Sequence, residues 1–161
     1  MPVELNIEDD RWKAADLAGL TERAFDATLG HLGYDPALWE VSVLGCDDAR
    51  IAELNATFRS KTSATNVLSW PAEDRSPQVA GTHPAPPEGD GELGDIAIAY
   101  ETCAREARDQ NRELGNHILH LQVHGLLHLL GYDHERDLDA TLMESLEIEI
   151  LRDLGVPNPY I

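Results

Sequence analysis

"HGLLHLLGYDH", residues 124–134, is the stretch on which the rest of the chain turns. Its histidines, His124, His128 and His134, stand at the spacing H-x-x-x-H-x-x-G-x-x-H, with Gly131 between the last two. On a helix His124 and His128 are one turn apart, so both imidazoles project from one face. Gly131 falls where a helix commonly ends, because glycine accepts the left-handed conformation at no steric cost. The chain then turns back and presents His134 to the same point. Three neutral imidazoles around an open fourth position describe a catalytic zinc site. A structural zinc site would be closed by a fourth ligand, usually cysteine, and none lies nearby in the sequence.

The same spacing occurs in zinc peptidases, where the second position is a glutamate that serves as general base. Here that position is Gly125. Two accounts of the exchange stand side by side. Glycine removes a negative charge from beside the metal, or it lets the helix pack closely on a neighbour. Five of the seven histidines fall within residues 117–134. His120, one turn before His124, touches the site, supports it from behind as a hydrogen-bonding partner, or belongs to the core. His117, two turns away, is expected to take no part. Asp133 either orients a ligand imidazole or caps the turn.

The surrounding chain frames this segment. Its 161 residues predict one domain, with 42% apolar and 26% charged residues, an ordinary globular balance. Two cysteines, Cys46 and Cys103, are too few for a disulfide framework; as small buried residues they fit a reducing cytosol. The start "MPVELNIEDD" has neither a basic region nor an apolar run, and no stretch approaches a membrane span, so a soluble cytoplasmic protein is expected. A net charge of -18 argues against broad binding to nucleic acid, including DNA. A nucleic-acid substrate would have to meet a local basic patch.

Hydropathy patterning predicts α+β architecture: a small mixed sheet of about four strands packed with about five helices. Strands are expected at 3–8, 39–46, 66–70 and 94–100, the third ended by Pro71. Helices are expected at 12–32, 47–59, 101–113, 116–131 and 138–155. The helix at 47–59 places Ile51, Leu54 and Phe58 on one apolar face, which leaves Arg59 to point toward solvent or a cleft. Residues 71–92 hold five of the nine prolines and three glycines, so a long mobile loop over 72–92 is predicted inside the domain.

"HGLLHLLGYDH" resembles the signature H-G-x-L-H-L-x-G-Y-D-H of the YbeY family of bacterial endoribonucleases and rRNA maturation factors. "LNATFRSKTSATNVLSWP" (54–71) is similar to the family's L-N-x-x-x-R-x-x-D-x-x-T-D-V-L-S-F-P block, and "GELGDIAIA" (91–99) to its G-D-I strand. "MESLEIEILRDLG" and the closing "PY" match its last helix and tail, so the likeness covers nearly the whole chain. Thr62 and Asn66 stand where aspartates are usual, and Trp70 replaces Phe. The resemblance implies one Zn2+ on His124, His128 and His134, which with Arg59 form the catalytic set. It implies single-strand-specific RNA cleavage in 16S rRNA 3′-end maturation and late ribosome quality control. It also implies contact with the small ribosomal subunit and assembly factors such as an Era-type GTPase.

Residues 55–70 contain Arg59 and Lys61 and no Asp or Glu, where the chain's average calls for about three. This is the local patch an acidic chain needs if it handles RNA. Arg59 is suited to bidentate phosphate recognition, with Lys61 beside it on the substrate; Ser63, Thr65 and Asn66 are weaker candidates. Two rivals to the endoribonuclease remain open: a metalloprotease-like zinc hydrolase, against which the missing glutamate counts, and a ribosome-assembly factor with a mainly structural zinc, against which the open site counts.

Overall fold

The computed structural model describes residues 2–61, 63–88 and 91–161. Thr62, one of the two positions where the family block carries aspartate, lies outside the described residues, as do positions 89 and 90 of the proline-rich loop. Strands β1 (Val3–Ile7), β2 (Glu40–Cys46), β3 (Val67–Pro71) and β4 (Glu92–Ala99) form one sheet in the order β1-β2-β4-β3. The β1–β2 and β2–β4 pairs are parallel and β3 runs antiparallel to β4. Helices α1 (Arg11–Ala14), α2 (Leu17–His31), α3 (Asp48–Arg59), α4 (Tyr100–Asp109), α5 (Leu114–Leu129) and α6 (Asp137–Asp153) surround it. This is the mixed four-stranded α+β architecture that the patterning predicts.

The expected helix at 12–32 is two helices. Asp16 takes a left-handed conformation, φ 57°, and its carboxylate accepts a bond from the Gly19 amide, so a new helix starts there. The break lets Trp12 turn into the core, where its indole N–H donates to the Cys46 carbonyl at 2.9 Å. Pro71 is the last residue of β3 rather than its stop, which an edge strand tolerates because proline's missing N–H need not face a partner.

One sheet face, with Val41, Val43, Ile96 and Ile98, packs into the main core with α2, α5 and α6. Helix α5 is buried on most sides because it runs through this core, with His120, His124 and His128 left toward the cleft. Its Leu126 and Leu127 are fully enclosed, each stabilising the fold by about 1.5–3 kcal/mol through burial. The other face, with Leu44, Cys46, Leu68, Ala97 and Ala99, is covered by α3 through Ile51 and Leu54. Both cysteines are buried free thiols. Phe58 does not join that apolar face: it is 63% exposed and lies edge-on to Trp70 with centroids 5.7 Å apart. The sheet ends at β3, so the last turn of α3 has no further strand to cover it.

The segment between β3 and β4 has no helix or strand among its described residues. It is nevertheless tied to the body at several points. The Arg75 guanidinium donates to the carbonyls of Glu92, Leu93 and Leu129, Arg136 donates to those of Pro77 and Gln78, and the Gly81 amide donates to Asp139.

Candidate metal centre and cleft

The turn after α5 works as its spacing predicts. The Tyr132 amide reaches back to the Leu127 carbonyl at 3.0 Å and the Gly131 amide to that of His128 at 3.0 Å, closing the helix around Gly131 at φ 105°. A Cβ at Gly131 would lie 2.4 Å from the Arg75 carbonyl oxygen, so glycine is needed here for backbone conformation and for space. The Asp133 carboxylate accepts the His134 amide at 2.7 Å. This bond caps the turn that carries His134, and no hydrogen bond from Asp133 to an imidazole occurs among the described residues.

The result is a cluster of His124, His128 and His134 whose ligand atoms all lie within 4.8 Å of one another. The Nε2 atoms of His124 and His128 are 3.1 Å apart. Two nitrogens bound at about 2.0–2.1 Å to a tetrahedral ion would be separated by about 3.3 Å, so the donor set fits such a metal. His134 stacks on His124, centroids 5.4 Å apart, and meets His128 nearly edge-on at 5.1 Å. Burial, together with the neighbouring His124 and His134, pushes the His128 imidazole down to about 4. The site therefore favours the neutral imidazole that metal binding requires.

The cluster opens into a cleft of about 690 Å³. The same cleft is lined by residues of the acid-free stretch, including Arg59, Lys61, Ser63, Thr65 and Asn66. Ser60 ends α3 in a left-handed conformation, and the Lys61 amide and the Ser63 carbonyl both fold back onto Asn55. Arg59 reaches over the sheet edge and its Nη2 donates to the Ser69 carbonyl at 2.9 Å, one of the five donors of a guanidinium. Asn66 is committed elsewhere: its amide donates to Glu106, at 3.1 Å and 3.4 Å to the two oxygens. An aspartate there would face that carboxylate, which accounts for the Asn in this chain.

Gly125 is buried, and a Cβ there would sit 3.1 Å from Ile96 of β4. Close helix–sheet packing is thus one physical reason for the glycine.

Two residues of the site were not anticipated from the sequence. Glu147 of α6, 1% exposed, meets His120 Nε2 at 2.8 Å and His124 Nδ1 at 3.4 Å. The Tyr160 hydroxyl donates to its two oxygens, at 2.9 Å and 3.2 Å. Burial acts to raise the Glu147 carboxyl, and the bonds and charges of His120 and His124 outweigh it, holding the group at about 2. A signal was present: Glu147 lies on the stripe Met143, Leu146, Ile150 and Leu151, all buried, so a carboxylate occupies an apolar helical position. His120 lines the cleft and is joined to His124 through this carboxylate, whereas His117 is buried and paired with Glu106 at 3.0 Å.

The fold and the cluster define a class: an α+β protein with three converging imidazoles in a cleft that Arg59 and Lys61 also line. Residues 3–155 match the family model for Endoribonuclease YbeY. The chain belongs to that family. It is 54% identical over 165 residues to the Endoribonuclease YbeY of Ruegeria sp. (strain TM1040), covering 100% of this chain and 97% of that protein. It is 56% identical over 164 residues to that of Ruegeria pomeroyi, covering 99% and 98%. The solution structure of TM1509 from Thermotoga maritima shares the fold, with a TM-score of 0.57 at 22% identity, over 95% of this chain and 91% of that one.

Proposed function

We propose that the protein is a zinc-dependent endoribonuclease that cleaves single-stranded RNA. The observation that carries this is that one cleft is lined both by three converging histidines and by Arg59 and Lys61 of the acid-free stretch. His124, His128 and His134 would hold one Zn2+. When bound, such an ion acts as a Lewis acid toward a phosphoryl oxygen and lowers the pKa of water to about 7. Arg59 faces the phosphate and donates to its oxygens as negative charge develops there. Lys61 holds the neighbouring backbone as a point charge. Gly125 keeps a carboxylate away from the approaching anion. Membership of the family supports action on the 3′ end of 16S rRNA and in late ribosome quality control, in the cytoplasm, alongside the small subunit and an Era-type GTPase. No helix among the described residues is long and apolar enough to cross a membrane.

A peptidase would need a base beside the ligand nitrogens. Glu147 contacts His124 at Nδ1, while its Nε2 faces His128, so this carboxylate does not take the place of the peptidase glutamate. The test is cleavage of a single-stranded RNA oligonucleotide by purified protein, with chelator and after zinc is restored. Chelator-sensitive cleavage is expected. RNA left intact under all conditions by zinc-loaded protein would favour an assembly factor whose zinc is structural.

A further inference from the structure

Glu147 is a carboxylate enclosed by the core, and its partners are two imidazoles and a phenol. Removing a carboxylate from water costs several kcal/mol unless donors replace the water. Each partner must therefore donate. A neutral imidazole carries one N–H, and a carboxylate only accepts. Contact between Glu147 and Nδ1 of His124 thus requires the hydrogen on Nδ1 and leaves a lone pair on Nε2. That lone pair points to where Nε2 of His128 lies 3.1 Å away. The Tyr160 hydroxyl closes the carboxylate from the other side, 2.9 Å from the oxygen that His120 also binds.

Tyr160 is itself held in place. The Arg112 guanidinium donates to the Pro159 carbonyl, Asn158 accepts the Tyr160 amide at 2.8 Å, and the ring lies edge-on to His120 with centroids 5.7 Å apart. Tyr160 and His120 both line the cleft. Tyr160 is therefore tied to Glu147 and His120 beside the histidine cluster.

We infer that Glu147 is the positioning residue of this centre: it locks His124 in the Nδ1–H tautomer with Nε2 aimed at the metal, and Tyr160 of the C-terminal tail holds the carboxylate in that orientation. This rests on the metal-binding role of His124 proposed above. Glu147 touches neither substrate nor metal; it acts through the ring. Carboxylates placed behind ligand histidines in this way commonly change metal affinity 10–100-fold.

The test uses the full-length protein and Zn2+ as probe, with affinity read by competition against a chromophoric chelator and tautomers by 15N NMR of the histidine rings. In the zinc-loaded wild type, His124 is expected as the Nδ1–H tautomer. Glu147→Ala should bind zinc about 10–100-fold more weakly. Glu147→Gln should recover much of the loss, because its amide oxygen still accepts from Nδ1. Tyr160→Phe, which removes only a hydroxyl, should weaken zinc several-fold. Glu106→Gln, at the neighbouring His117 pair, should bind as wild type. If Glu147→Ala does not fold, Tyr160→Phe and the wild-type tautomer still decide. An Nε2–H tautomer at His124 overturns the inference, as does wild-type zinc affinity in both Glu147→Ala and Tyr160→Phe. A wild type that takes up no zinc overturns the metal reading itself, an outcome distinct from a zinc-binding wild type whose variants are unchanged.

Discussion

Helix α5 sends histidines to two carboxylates, and the two sets, made of the same groups, lead to different places. Toward its start, His117 meets Glu106 of α4 at 3.0 Å, and Glu106 also accepts from Asn66 at the entry to β3. Further along, His120 and His124 meet Glu147 of α6. Nδ1 of His117, like Nδ1 of His120 in the second set, is buried without a partner among the described residues, so both of these imidazoles end in packing. In the second, the far nitrogen of His124 faces another imidazole at the cleft. The lesson is that an imidazole–carboxylate pair says little about function until the second nitrogen is followed to its destination.

Breaking the cleft side of this comparison should produce the largest change. His128→Ala should lose most of its zinc, since two remaining imidazoles hold an ion poorly. Elemental analysis showing full occupancy in that variant would contradict the ligand assignment. Next comes Arg59→Ala. Its side chain is exposed and its bond among the described residues is to a carbonyl, so the protein should remain folded and zinc-loaded. Loss of a donor to developing charge costs about 2–4 kcal/mol in the transition state, roughly 30- to 1,000-fold in rate. Arg59→Lys should recover only part of that. Cleavage rates measured beside zinc content and melting temperature decide the matter.

Acid sharpens the contrast without mutation. The His128 imidazole is held at about 4 against an ordinary value of 6.5, so between these values the unfolded chain binds the extra proton and the folded one does not. Its contribution is fully present above about pH 6.5 and is lost as pH falls toward 4, on the order of 3 kcal/mol in all. Glu147 is depressed too, but its stabilising effect fades only below about 4.5, so it does not confuse the window. Denaturation of the metal-free protein at several pH values should show this slope, and His128→Ala should reduce it, the remainder coming from His117, whose imidazole burial also lowers. The smallest effect is expected at the structural pair. Glu106→Ala leaves Asn66 and His117 without an acceptor and should cost about 1–3 kcal/mol in denaturant titration, with zinc content unchanged. A fall in zinc there would erase the distinction between the two pairs.

The sequence alone determined what depends on neighbours along the chain. Helical spacing set His124 above His128, a glycine able to turn left-handed brought His134 back, and alternation marked four strands at nearly their final bounds. The acid-free run around Arg59 was equally local. Local pattern failed where the answer lay across the fold. Phe58 has the right spacing for the α3 core face, but the sheet runs out beneath it. The helix at 12–32 breaks at Asp16, where a polar side chain caps a second start. One reason for Gly125 involves Ile96, far away in the chain. Glu147 is one of 30 acidic residues, and nothing adjacent to it separates it from the rest except its place on an apolar stripe. Periodicity reports which side of a helix is buried; only packing α6 and the tail against α5 decided that this buried carboxylate meets the imidazole whose other nitrogen faces the cleft.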